Sequence, residues 1–182
     1  MPLKKLSLLL FLLFLSMGLL GCQQSDEEEE LNNGVSQLTP INMPNDFNFS
    51  IQFGVQKKNE INTFKGTVTK DLIADGTATT ELVLTEDEMK TIYMKMQEIN
   101  IAETKNFTPK SRFGTVCMKE PYEEDEWNII INGKTITHSI SGEYCDPTND
   151  AKQLIELRNY VFDIIKSKVE YKSLPESNGG YE

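Results

Sequence analysis

Three cysteines, one histidine and two acidic clusters are the groups in this 182-residue sequence whose types and spacing suit chemistry. Cys22 ends a long apolar run, and a cysteine thiolate is a nucleophile available for acylation. Cys117 and Cys145 flank a hairpin signal. In an exported domain an even pair of this kind reads as a disulfide, with two free thiols or a redox pair as the alternatives. No Cys-x-x-Cys spacing is present to lower a thiol pKa. A bridge would close the hairpin base, pin the segment Lys119–Glu126 and stabilise the fold by about 3.5 kcal/mol on the chain-entropy model. His138 would need a nucleophile and an orienting acid to act in a triad. Its neighbour Ser139 points to the opposite face of a strand, so His138 reads as a residue packed beside Trp127. One histidine and two bridged cysteines do not compose a zinc site. Asp26–Glu30 and Glu120–Glu126 carry oxygen ligands of the kind calcium takes, or a hydrolase would use. They lack the alternating acids and fixed glycine of calcium loops, which favours solvated segments. There is no Gly-x-Ser-x-Gly, phosphate loop or dinucleotide fingerprint. The residues therefore predict no catalytic group, cofactor or metal.

Placement is easier to read than chemistry. Met1–Leu6 contains Lys4 and Lys5 and no acid, and Leu6–Leu20 is uncharged and leucine-rich. At about 15 residues the run is shorter than the roughly 20 of an ordinary spanning helix, and it has the layout of an export signal. It closes on Leu19-Leu20-Gly21-Cys22. Cys22 could merely end a short anchor. The four residues also resemble the lipobox of bacterial lipoproteins, with Leu19 three before the cysteine and small Gly21 next to it. That resemblance implies a diacylglyceryl group on Cys22, cleavage after Gly21 (residues 1–21 being the signal peptide) and attachment to the extracytoplasmic face of the cell membrane. Two or three acyl chains give stable anchoring where one does not.

Charge restricts the partners. Loss of Lys4 and Lys5 with the signal would take the formal charge from −10 to −12. Such a chain is repelled by nucleic acid and anionic lipid, which leaves the lipid on Cys22 as the membrane contact.

The elements that must position these groups begin after a tether. Residues 22–46 include the acidic run, Asn32-Asn33-Gly34, Pro40 and Pro44, and have no hydrophobic period. Alternation then starts, with Phe47, Phe49, Ile51, Phe53 and Val55 on one face of a strand. After a polar turn at Lys57–Glu60, Ile61–Lys70 is β-rich with Phe64 and Val68 on a shared face, and Thr77–Leu84 makes a third strand. Thr85 and Glu88 form a capping box for a helix carrying Met89, Ile92, Tyr93, Met96 and Ile99. A stripe of this composition favours a core face over a cofactor pocket. Trp127–Ile131 and Lys134–Ile140 flank Asn132-Gly133, which predicts a two-residue hairpin pairing Ile129 with Ile136 and Trp127 with His138. A second helix is expected from Ala151 to Lys168, with Leu154, Leu157, Val161, Ile164 and Ile165 as its apolar stripe. Strands then helix, twice, predicts an α+β domain over 47–172, a single antiparallel sheet with two helices packed on one face. Residues 173–182 read as an irregular C-terminal tail.

Phe47–Val55, Thr67-Val68-Thr69-Lys70-Asp71, Leu84-Thr85 with Glu88, the pair Cys117 and Cys145, and Leu174-Pro175 with Gly179-Gly180-Tyr181 together resemble small uncharacterised membrane lipoproteins of Bacillus-type bacteria. The resemblance implies fold and location and no activity. The function expected is a binding or interaction module in the cell envelope, presenting a surface to an envelope protein, peptide or wall fragment. An envelope hydrolase or metal-binding protein using the acidic loop or His138 is the alternative. It requires those groups to converge in one pocket.

Overall fold

The alternation that starts at Phe47 shapes the first strand and, through it, the whole sheet. In the computed structural model, residues 39–110 and 115–182 are described; Cys22, the targeting run and most of the acidic tether lie outside them. Strand β1 (Asn48–Gly54) buries Phe49, Ile51 and Phe53 and turns Gln52 outward. Val55 leaves this pattern. It enters a 3-10 turn, Val55–Lys57, and is only half-buried. Strand β2 (Asn59–Asn62) returns antiparallel, with Ile61 opposite Ile51.

The expected β-rich stretch Ile61–Lys70 is two strands. Asn62 accepts a hydrogen bond from the Lys65 amide, and Gly66 has φ +63°, so the chain turns between β2 and β3 (Thr67–Ile73). Phe64 sits in that turn, exposed, and shares no strand face with buried Val68. Strand β4 (Gly76–Glu81) completes a meander. Thr85 caps helix α1 (Glu86–Glu98) with both bonds of the capping box, and Ile92, Tyr93 and Met96 are buried.

The second half begins earlier than the Trp127 expected from hydropathy. Strand β5 spans Glu124–Ile131 and pairs with β6 (Lys134–Ser141) through Asn132 and Gly133, whose φ values of 49° and 71° suit a two-residue hairpin turn. The register sets Ile129 opposite Ile136 and Trp127 opposite His138, as the loop length predicts. Thr148 caps helix α2 (Asn149–Ser167), and a short helix α3 (Val169–Lys172) follows. Strand β5 pairs antiparallel with β1, so the six-stranded order is β4-β3-β2-β1-β5-β6.

One row across this sheet reads Val68, Ile61, Ile51, Trp127, His138, and every member is buried. The adjacent row exposes Gln52, Glu126 and Ser139. Both main helices pack on the first face, where Tyr93 and Met96 of α1 and Leu154, Val161 and Ile165 of α2 join Phe49 and Trp127 in one core. This is the α+β plan expected from the twice-repeated order. Full burial of each large apolar side chain contributes roughly 1.5–3 kcal/mol, so the face that receives the helices is set by the alternation.

Two boundaries move. Pro40–Asp46 is bound to the domain: the Pro40 carbonyl accepts from the Tyr93 hydroxyl and from Gln97, and Met43 packs on the core. The Asp46 carboxylate accepts the amides of Asn132 and Gly133. Composition marks this stretch as tether because, apart from Met43, its contacts are made through backbone and turn groups. The tail, although irregular, is likewise held: Asn178 forms a parallel bridge with Ile73, and Ser177 donates to the Asp71 carbonyl.

Candidate binding cleft

At Gly54 the first strand has to turn sharply. Gly54 has φ +92°, and a Cβ there would lie 2.8 Å from the Asn59 side-chain amide. The turn continues through Gln56 and Lys57, both non-glycine residues in the left-handed region at φ 58° and 55°. This corner forms one wall of a cleft.

The second wall comes from the segment before β5. Gly54 pairs with Glu124, the first residue of that strand. Glu120, Pro121 and Tyr122 precede it, joined by a cis Glu120–Pro121 peptide. Backbone bonds extend the hairpin outward past its regular strands: Gly142 to Glu123 at 2.8 Å, Lys119 to Glu143 at 2.8 Å, and Cys145 to Cys117 at 3.1 Å. At their end the Cys117 and Cys145 sulfurs lie at bonding distance, 1.97 Å, with both residues exposed. The pair thus clips the base of the hairpin and the segment before it.

The third wall is the tail. The Tyr181 hydroxyl donates to the Asp71 carboxylate, and the Lys58 ammonium lies 5.1 Å from the Tyr181 ring centroid. The hydrogen bond to Asp71 raises the Tyr181 pKa, burial adds to the rise, and Lys58 opposes it. Between the three walls is a cleft of about 290 Å³, lined by Val55, Gln56, Glu120, Pro121, Tyr122, Glu124, Tyr181 and Glu182. Two aromatic rings, two apolar side chains, one amide and three carboxylates therefore converge from segments far apart in sequence.

The acidic cluster Glu120–Glu126 does not act as one loop. Glu120 and Glu124 line the cleft. Glu126 belongs to the open sheet face and pairs with Lys57 at 2.6 Å. Asp125, one residue earlier, points into the core and is 3% exposed. Arg158 of α2 approaches it at 3.4 Å and bonds Glu123 at 2.9 Å. Strand alternation, which begins three residues before Trp127, makes this division. Burial pushes the Asp125 carboxyl up to about 6; the Arg158 charge opposes that shift and the Glu123 charge adds to it.

His138 is elsewhere. Its Nε2 lies 2.7 Å from the Ile101 carbonyl, to which it donates in the neutral form, and its ring meets Phe107 edge-on at 5.7 Å. Burial lowers its pKa, the Ile101 carbonyl opposes this, and smaller effects of Lys105 and Asp150 cancel in direction. The acidic loop and His138 are thus held by separate partners and do not share the cleft. Among the described residues, no group of three or more His, Cys, Asp or Glu side chains is placed to hold a metal ion.

Arg158 and Tyr181 are the participants least legible in the sequence. Arg158 falls four residues after Leu154 and three before Val161, inside the apolar stripe, and counting back from Trp127 by twos reaches Asp125. Those two periods together are the signal that the sequence carries for the pair. For Tyr181 no local signal exists. No protein-family model matches the chain, and no curated protein or solved structure matches it either. Among the described residues no helix is long and apolar enough to cross a membrane.

Proposed function

We propose that the chain is a lipid-anchored binding module on the extracytoplasmic face of a bacterial cell membrane, taking its ligand in the cleft beside Tyr122 and Tyr181. The observation that carries the location is the apolar run Leu6–Leu20 closing on Leu19-Leu20-Gly21-Cys22, directly followed by the acidic segment. Two cysteines at disulfide distance accord with an oxidising compartment. The binding role is supported by the cleft itself, where apolar and polar groups from three segments face one concavity.

The test is Cys22→Ala in cells supplied with labelled fatty acid. Loss of label, with release from the membrane fraction or accumulation of the uncleaved precursor, is the expected result. A variant that is processed, labelled and retained like the parent would refute the anchor.

A further inference from the structure

We infer that the outer edge of β6 takes up an extended peptide segment of another protein as an added antiparallel strand, in the groove between residues 135–139 and residues 102–107. This second site depends on neither the cleft beside Tyr122 nor the lipid anchor.

The phase of the hairpin decides which backbone groups are free. A two-residue turn makes Ile131 and Lys134 a hydrogen-bonded pair, and such pairs recur at every second position. The Gly142 amide, donating to the Glu123 carbonyl at 2.8 Å, keeps that phase at the far end of the strand. Ile136, His138 and Ile140 therefore direct their backbone groups to β5, while Thr135, Thr137 and Ser139 direct theirs outward. β6 is the last strand of the sheet, and the N–H and C=O groups of those three residues have no partner among the described residues.

The opposite edge is guarded and this one is not. The register of β4 shifts between Asp71 and Ile73 of its partner strand, and β4 ends in Glu81; a bulge and a charge both discourage edge pairing. β6 pairs without a break from Lys134 to Ser141, with no lysine, acid, proline or bulge from Thr135 to Ile140. A groove of about 330 Å³ runs along it, and Ala102, Lys105 and Phe107 belong to its far wall. That wall is fixed from elsewhere. The Lys105 ammonium donates to the Ile99 carbonyl, the Asn106 amide to Asp150, and the Thr148 hydroxyl to the Asn106 carbonyl. It exchanges no backbone bond with β6, so the groove stays open to a ladder partner.

An added strand alternates as its neighbour does. Its residues level with Ile136 and His138 would face Ala102 and Phe107, and those level with Thr137 the open polar face. The segment is therefore apolar and polar by turns. Charges around the groove balance, Glu103 and Asp150 against Lys105 and Lys134. A second copy of the chain would bring its own net charge of −10 and is repelled. A neutral or basic segment of another protein fits this edge best, held by main-chain bonds and selected by its alternate side chains.

The experiment is an NMR titration of the full chain in non-ionic detergent with the capped peptide KTVTVTK. The same peptide N-methylated at its threonines, whose N–H groups would meet β6, is the control with identical side chains. The parent peptide is expected to bind with a Kd of about 1 mM or tighter. Amide exchange should slow at Thr135, Thr137 and Ser139 and stay unchanged at Ile136 and His138. The N-methylated peptide should bind at least about tenfold more weakly, the scale of two or three net hydrogen bonds. Thr137→Pro removes one outward amide and no ladder bond to β5, and should weaken binding by about tenfold. Thr79→Pro on β4 should leave it unchanged. Melting curves verify that both variants fold, and if Thr137→Pro does not, the two peptides on the parent protein decide alone. No effect at about ten times the expected Kd overturns the proposal. Equal binding of the N-methylated peptide, or slowed exchange on β4 in place of β6, overturns it too. Protection of the same amides without peptide, in a dimer seen by sedimentation, would give the edge to a second copy and refute a foreign partner.

Discussion

Arg158 of α2 sits with its Nε 3.4 Å from the Asp125 carboxylate of β5, inside the core layer, while its other end bonds Glu123 near the surface. The guanidinium also lies 5.3 Å from the Phe53 ring centroid. The approach to Asp125 lacks hydrogen-bond alignment, since neither Asp125 Oδ2 nor Arg158 Nε has a hydrogen-bond partner among the described residues. Burial therefore outweighs attraction, and this is why the carboxyl titrates near 6 in place of 3.8.

The consequence for stability has a definite sign. A carboxyl whose pKa is higher in the folded state favours folding when protonated, so its contribution falls as pH rises from about 4 through about 6. Relative to Asp125→Asn, the parent should lose about 2–3 kcal/mol between pH 4 and pH 7. Urea denaturation of both proteins across that range measures it, and parallel profiles would show that Asp125 does not titrate there.

Removal of the cation should be worse than removal of the pair. Arg158→Leu strands a buried carboxylate and is expected to cost about 3 kcal/mol at pH 7.5, with less loss at pH 5, where Asp125 takes up a proton. The double variant Asp125→Leu with Arg158→Leu should be more stable than Arg158→Leu alone. Additive losses would indicate that the two side chains are not coupled.

His138 has the opposite sign in an overlapping window. Its folded pKa lies below 6.5, so the stability it contributes is complete above that value and declines as pH falls through it. His138→Phe should remove this decline and flatten the profile on the acid side of 6.5. Thermal melts at pH 7.5 and 5.5 distinguish the outcomes, and an unchanged pH dependence would assign the decline to other groups.

Gly142 is required by space and not by φ. A Cβ there would lie 2.5 Å from the Glu123 carbonyl oxygen, which itself accepts the Gly142 amide. Gly142→Ala should push the Glu120–Glu123 segment outward and cost about 1–3 kcal/mol. A lower melting temperature together with a chemical-shift change at Tyr122 is the expected signature.

The Asp46 carboxylate caps the hairpin turn from the chain segment before β1. Asp46→Ala leaves the Asn132 and Gly133 amides to water, and hydrogen bonds to a charged acceptor are worth roughly 1.5–3 kcal/mol. Because the turn is exposed, a loss near the lower end of that range is expected. Faster amide exchange at Asn132 and Gly133 would verify the cause.

What was legible in the sequence depended on local rules. Alternation over Phe47–Phe53, the Thr85 capping box and the Asn132-Gly133 loop each act within a few residues, and the register of the hairpin followed from loop length alone. The α+β plan with both helices on one face is the sum of those rules. Less local features escaped. Pro40–Asp46 reads as tether because, the lone apolar contact of Met43 aside, it docks through backbone carbonyls and one turn-capping carboxylate, which leave no hydropathy signal. Phe64 reads as a strand residue because its neighbours favour β structure, whereas the Asn62 side chain and Gly66 turn the chain there. The division of Glu120–Glu126 among the cleft, the core and the open face required knowing that β5 begins at Glu124.

The amino-acid sequence by itself determined the strand faces, the caps, the hairpin register and the pairing potential of Cys117 and Cys145, because periodicity and turn chemistry are short-range. Only the tertiary structure decided that Tyr122 meets Tyr181 across a cleft and that Arg158 enters the core beside Asp125. Those neighbours are separated by tens of residues, and their meeting depends on β5 joining β1 at the centre of the sheet.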